Sequence, residues 1–291
     1  MATISAASPR SPRAWIVGPW WDLGYVVLTP VAIVPIVLLA SRRWFSPEAI
    51  SLAVIAFASL GHHLPGFLRA YGERDLRQRY RWRLLLAPLG FAALTLSFSP
   101  PARLAAAMGW GWSHLHGLEL ILLVWGAWHG LMQTYGFMRI YDLRRGENNL
   151  VDAWLDQALC ACLFIAAIVW SDSRMFGIAN AMWQSGLPIF DSATLEILRW
   201  ITAAALISVA VAYGARQTSR VRKGLPLNWQ KMLLAGLTGW FYWFCGSLST
   251  NLLIGVAMFE IYHAIQYDAI VWIYDRRLLS RASERLGSLG W

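Results

Sequence analysis

The stretch from Leu252 to Ile273 reads LLIGVAMFEIYHAIQYDAIVWI. It is long enough to cross a bilayer as one helix, which takes about 20 mainly apolar residues. Tyr274-Asp275-Arg276-Arg277 follows it, an aromatic and basic edge of the kind found at a membrane surface. Within the apolar run stand Glu260, His263, Gln266 and Asp268. Ionisable side chains at membrane depth are expensive and mark functional sites by default.

Composition places the whole chain in the same setting. Of 291 residues 57% are hydrophobic, 14% are charged and 18 are Trp. Soluble domains carry roughly 25% charged and 45–50% apolar residues, so a soluble enzyme and a disordered chain are both excluded. Cys160, Cys162 and Cys245 lie in apolar runs and form no CxxC pair, which leaves no disulfide framework or thiolate zinc site. The expected fold is all-α: a single polytopic transmembrane domain over residues 1–291.

Outward from Leu252–Ile273, seven more segments have the length and apolar character of spans: Leu23–Ala40, Ile50–Leu68, Leu84–Met108, Gly117–Met138, Val151–Trp170, Leu195–Gly214 and Met232–Leu248. Pro100 and Pro101 interrupt the third of these, and Ala102–Met108 is expected at the interface. Met175–Trp183 is too short to span and is expected on the surface. Arginines tell the two sides apart. They gather at the N-terminus, in 69–83, in 139–145, in 216–222 and after Ile273, and are sparse in the alternate connections. That alternation fits eight transmembrane helices with both termini cytoplasmic, residues 1–20 and 276–291 forming the cytoplasmic ends. It also accounts for the net charge of +9 without a nucleic-acid partner. An arginine-rich chain whose only lysines are Lys223 and Lys231 suits a bacterial inner membrane.

The histidines carry the functional signal. His114 and His116 sit with Trp110 and Trp112 at an expected interface. The other four are deeper. At about 1.5 Å per residue, His62 and His63 lie roughly 18 Å from Ile50, His129 roughly 18 Å from Gly117 and His263 roughly 17 Å from Leu252. Three helices thus bring histidines to one level, which a shared metal or cofactor explains. Glu260 and His263 stand at i and i+3, the spacing by which helical di-iron proteins present two ligands from one helix. His129 and Gln133 stand at i and i+4, on one face. The expected metal ligands are therefore His62, His63, His129 and His263, with Glu260 ligating or bridging. Gln133 and Gln266 are expected to orient the ligands by hydrogen bonds. Tyr262 and Tyr267 are expected to line a substrate cavity, and Arg69 and Arg139 to meet an anionic headgroup.

Imidazoles with one carboxylate suit iron, in one or two ions, or zinc or copper. In its ingredients the chain resembles histidine-dependent membrane oxidases, among them fatty-acid desaturases and bacterial carotenoid-cleaving dioxygenases. The His-x-x-x-His and His-x-x-His-His boxes of the desaturases are absent, so no catalytic residue is carried over. The leading expectation is a non-haem iron oxidase, oxygenase or desaturase acting on a membrane lipid or isoprenoid, served by an electron donor. One alternative is a transporter or proton pathway through the His/Glu cluster. The other is haem electron transfer with His129 and His263 as axial ligands, which leaves His62 and His63 unused.

Overall fold

The computed structural model describes residues 14–98, 115–249 and 251–286, and their regular structure is helical throughout, with no strand among the described residues. The helices are α1 (Pro19–Asp22), α2 (Thr29–Arg43), α3 (Pro47–Val54), α4 (His63–Gly72), α5 (Arg74–Arg79), α6 (Arg81–Phe98), α7 (Leu115–Arg144), α8 (Leu150–Val169), α9 (Asp172–Gln184), α10 (Ser192–Arg222), α11 (Trp229–Trp243) and α12 (Leu252–Leu286). Wider π-helical turns continue α1 over Leu23–Val27, α3 over Ile55–Ser59 and α11 over Phe244–Leu248. Ala102–Met108, Trp110, Trp112 and His114 fall outside the described residues.

Local chemistry sets the helix ends. The side chains of Ser46, Asn149, Asp191 and Asn228 accept backbone N–H bonds at the starts of α3, α8, α10 and α11, groups that a helix N-terminus leaves without intrahelical partners. Gly146 and Gly224 follow α7 and α10 with φ of 76° and 78°, a conformation that favours glycine and stops the helix. Met175–Trp183 lies within α9, a 13-residue helix.

Among the described residues, three helices are long and apolar enough to cross a membrane: Pro47–Gly72 (α3, its π-turn and α4), α8 and α10. Pro19–Val27 with Thr29–Arg43 makes a fourth if that pair, bent by 50°, is one span. These helices are consistent with an integral membrane protein. The expected spans in α6, α7, α11 and α12 are not among them.

Helix α12 runs through the core. Ala257, Met258, Tyr262 and Gln266 on it are all but fully buried. The Gln266 side chain donates to the Val26 carbonyl in the first π-turn (2.7 Å) and to the Tyr262 hydroxyl (2.9 Å). Thr238 on α11 bonds the same hydroxyl at 2.9 Å, and Thr134 on α7 bonds Tyr242 at 2.8 Å. These buried side chains are thus paired across helices, as apolar surroundings favour.

Two ionic clusters tie α7, α8, α10 and α11 together. Lys231 Nζ, 1% exposed, lies 2.8 Å from carboxylate oxygens of both Asp142 and Asp156. Arg139 joins the same two acids at 2.8 and 3.2 Å, and Asn228 donates to Asp142 at 2.9 Å. Two cations and two anions balance. Arg139 is thereby committed inside the protein, which corrects its expected role at a lipid headgroup. The second cluster joins Asp152 to Arg216 (2.7 Å) and Arg220 (2.6 Å), with Glu147 bonded to Arg220. Asp22 is fully buried; it accepts from the Ile16 and Val17 backbone at 2.7 and 3.1 Å and from Tyr141 at 3.1 Å, fixing the segment before α1 against α7.

Candidate functional site

The site forms where the turn before α4, the middle of α7 and the middle of α12 meet. Two glycines let the helices close. A Cβ on Gly130, next to His129, would lie 2.3 Å from the tip of the Phe259 ring. A Cβ on Gly66, one turn beyond His62 and His63, would lie 2.3 Å from the Tyr267 hydroxyl. Phe259, His263 and Tyr267 are spaced by four residues on α12, so they share one face. The two aromatic residues seat α7 and α4 on either side of the histidine between them.

On that frame three imidazoles converge. One ring nitrogen from each of His62, His129 and His263 lies within 4.8 Å of the others. The His263 ring centroid is 4.9 Å from that of His62 and 4.7 Å from that of His129. His62 and His263 are only 3% and 4% exposed, and His129 is partly exposed. The Nε2 atoms of all three are buried without a hydrogen-bond partner. Buried polar atoms are nearly always paired, and each exception calls for a cause.

The tautomer of one ring follows from its partner. His62 Nδ1 lies 2.7 Å from the Ala58 carbonyl, which can only accept, so Nδ1 carries the proton. Nε2 of His62 then presents a bare lone pair. A carbonyl holding the far nitrogen of an imidazole is the usual arrangement behind a metal-ligating histidine.

The remaining expected residues surround this triangle. His63 is exposed and packs against His62 with ring centroids 3.9 Å apart and the planes tilted by 40°, and lies 6.5 Å from His129. Glu260 accepts a hydrogen bond from Ser59 at 2.9 Å, which fastens the π-turn before His62 to α12. Gln133 donates to the His263 backbone carbonyl and to Gln266, each at 3.0 Å. Tyr267 packs edge-on against His62 at 5.4 Å. Tyr262 points the other way, toward Thr238 and Phe241 on α11. Ser59, Gly66, Gly130 and Phe259 emerge as supports that the sequence reading passed over; the only local hint was a glycine close to each histidine of the second and fourth expected spans.

No protein-family model, curated protein or solved structure matches the chain.

Proposed function

We propose that this protein is a membrane-embedded metalloenzyme, a non-haem iron oxidase, oxygenase or desaturase acting on a lipidic or isoprenoid substrate. The observation that carries the reading is the convergence of three buried, unpartnered Nε2 atoms from three separate segments of the chain. Nitrogen donors of this kind suit iron, zinc or copper, and a three-histidine set leaves coordination positions open for reaction. His62, His129 and His263 would hold the ion, His63 would face it from the exposed side, and Glu260 would fix the His62 turn through Ser59. Iron would supply oxidising power with O₂. In a desaturation, O₂ would take two electrons and two protons from the substrate and two of each from a separate donor, leaving two waters.

The haem alternative is disfavoured by the His129 and His263 rings, whose 4.7 Å separation is too small for a macrocycle between them. A proton or ion pathway is favoured by one observation, the buried Asp142–Lys231–Asp156 cluster. The full chain, purified in detergent, separates these readings by its metal content and absorption spectrum. Stoichiometric iron without a Soret band is expected. A Soret band, or a metal-free protein that moves an ion across vesicles, would overturn the proposal.

We further propose eight spans with both termini cytoplasmic, in a bacterial inner membrane, on the strength of the arginine alternation. A cysteine placed at Ser249 is then expected to react with an impermeant reagent from outside the cell. Reaction from the cytoplasmic side only would refute this topology.

A further inference from the structure

Beyond the triad, the most strongly charged surface is the connection from α4 to α6. Between Arg69 and Arg83 six arginines face two acids, Glu73 and Asp75. Arg74, Arg77, Arg79, Arg81 and Arg83 are exposed, and among the described residues none of the five has a carboxylate partner. Three of them stand over aromatic rings: Arg79 and Arg83 at 5.3 and 5.7 Å from the Tyr80 ring, Arg81 at 5.0 Å from Trp82. Tyr71 donates to the Leu84 carbonyl at 2.6 Å, which pins the end of α4 to the start of α6 and keeps this arginine-rich connection compact.

The platform belongs to the same segment as the metal triad. His63 opens α4, and Arg69 lies roughly 9 Å further along it. Between them Leu64, Phe67 and Leu68 are exposed and apolar. His63, exposed at the start of α4, lies with its ring 6.5 Å from that of His129, the one partly exposed member of the triad. A cationic platform, an apolar track and an open metal face in sequence match an amphiphile lying along α4.

We propose that the substrate is a membrane lipid with an anionic headgroup, held on the arginines between α4 and α6 with its hydrocarbon chain running along α4 to the open side of the histidine triad. The substrate role rests on the metal reading above; the headgroup site does not. Guanidinium groups recognise phosphate oxygens through paired hydrogen bonds, and nearby rings keep them oriented.

The test uses the full chain in phosphatidylcholine vesicles containing spin-labelled phosphatidylglycerol or spin-labelled phosphatidylcholine. The protein-bound fraction of each is read by electron spin resonance. A preference of roughly five-fold for the anionic lipid is expected for each arginine in contact with it. Replacing all five arginines by glutamine is expected to bring the preference to parity with metal content unchanged. Raising salt from 0.15 to 1 M shortens screening from about 8 to 3 Å and should cut the preference at least by half in the unaltered protein. With Co²⁺ loaded, a nitroxide placed down the lipid chain should broaden. His129→Ala should abolish that broadening and keep the headgroup preference.

Parity in the unaltered protein, or a preference that survives both the arginine replacement and high salt, would overturn the headgroup site. Loss of preference on adding inorganic phosphate would overturn it in favour of a soluble anion. Preference without broadening would overturn the substrate role. A chain that binds no Co²⁺ yet keeps the preference would overturn the metal reading and leave the headgroup site standing.

Discussion

His263→Ala is expected to strip the metal from the purified protein while leaving it inserted and helical. His263 is the hub of the triad: its ring lies closest to both others and comes from the central helix. Removing a partner that merely orients a ligand lowers metal affinity roughly 10–100-fold, so losing a ligand should exceed that range. The substituted side chain is almost fully buried, and truncation to alanine also opens a cavity. His263→Gln, which keeps volume and polarity, separates the two effects. Both variants should elute as the parent does in size-exclusion chromatography and contain little metal. Full occupancy in His263→Gln would show that the triad is a packed polar core and no ligand set.

Lys231→Ala should have the largest effect on stability, by leaving two buried carboxylates facing Arg139 alone. Lys231 is 1% exposed and its ammonium contacts both Asp142 and Asp156. Breaking a buried pair by removing one partner costs about 3–5 kcal/mol, because the charge left behind is uncompensated. For a chain of this size that corresponds to a fall in unfolding midpoint of roughly 10 °C, measured by tryptophan fluorescence in detergent. The double variant Lys231→Met, Asp156→Leu removes one charge of each sign and should recover most of the loss. A midpoint for Lys231→Ala equal to that of the parent would mean that the cluster is hydrated and that its acids are not dependent on the lysine.

The sequence made depth legible and direction illegible. Rise per residue is nearly constant, so the common level of His62, His129 and His263 could be counted from span ends. Which way each ring points depends on helix rotation and tilt, which counting does not give. His63 shares the level of His62, but adjacent residues on a helix differ by about 100°, and its ring packs against His62 outside the triangle. The same rotation turns Tyr262 away from His263 and toward α11. Apart from the i,i+3 pair of Arg139 and Asp142, the ionic clusters had no local signature. Lys231 meets Asp142 and Asp156 across 89 and 75 residues of chain, and Arg216 meets Asp152 across 64. Read alone, Arg139, Arg216 and Arg220 looked like markers of the cytoplasmic face; each is paired with an acid. Composition pointed to a membrane, and three to four long apolar helices among the described residues are consistent with it, whereas eight segments of the sequence had the length and apolar character of spans.

The three π-turns have a consequence for how helix faces are assigned along the chain. Each adds a residue to one turn, so the angular phase of everything after it slips relative to everything before it. Positions counted from Ile50 at the regular period therefore mispoint His62, although the same count gives its depth. Lipid-facing and ligand-facing surfaces of one span thus need not share a phase. The apolar outside of α3 can drift in sequence without turning His62, because the turn fastened by Ser59 to Glu260 resets the angle. The slip acts as a clutch between the apolar outer face of α3 and the turn that carries His62.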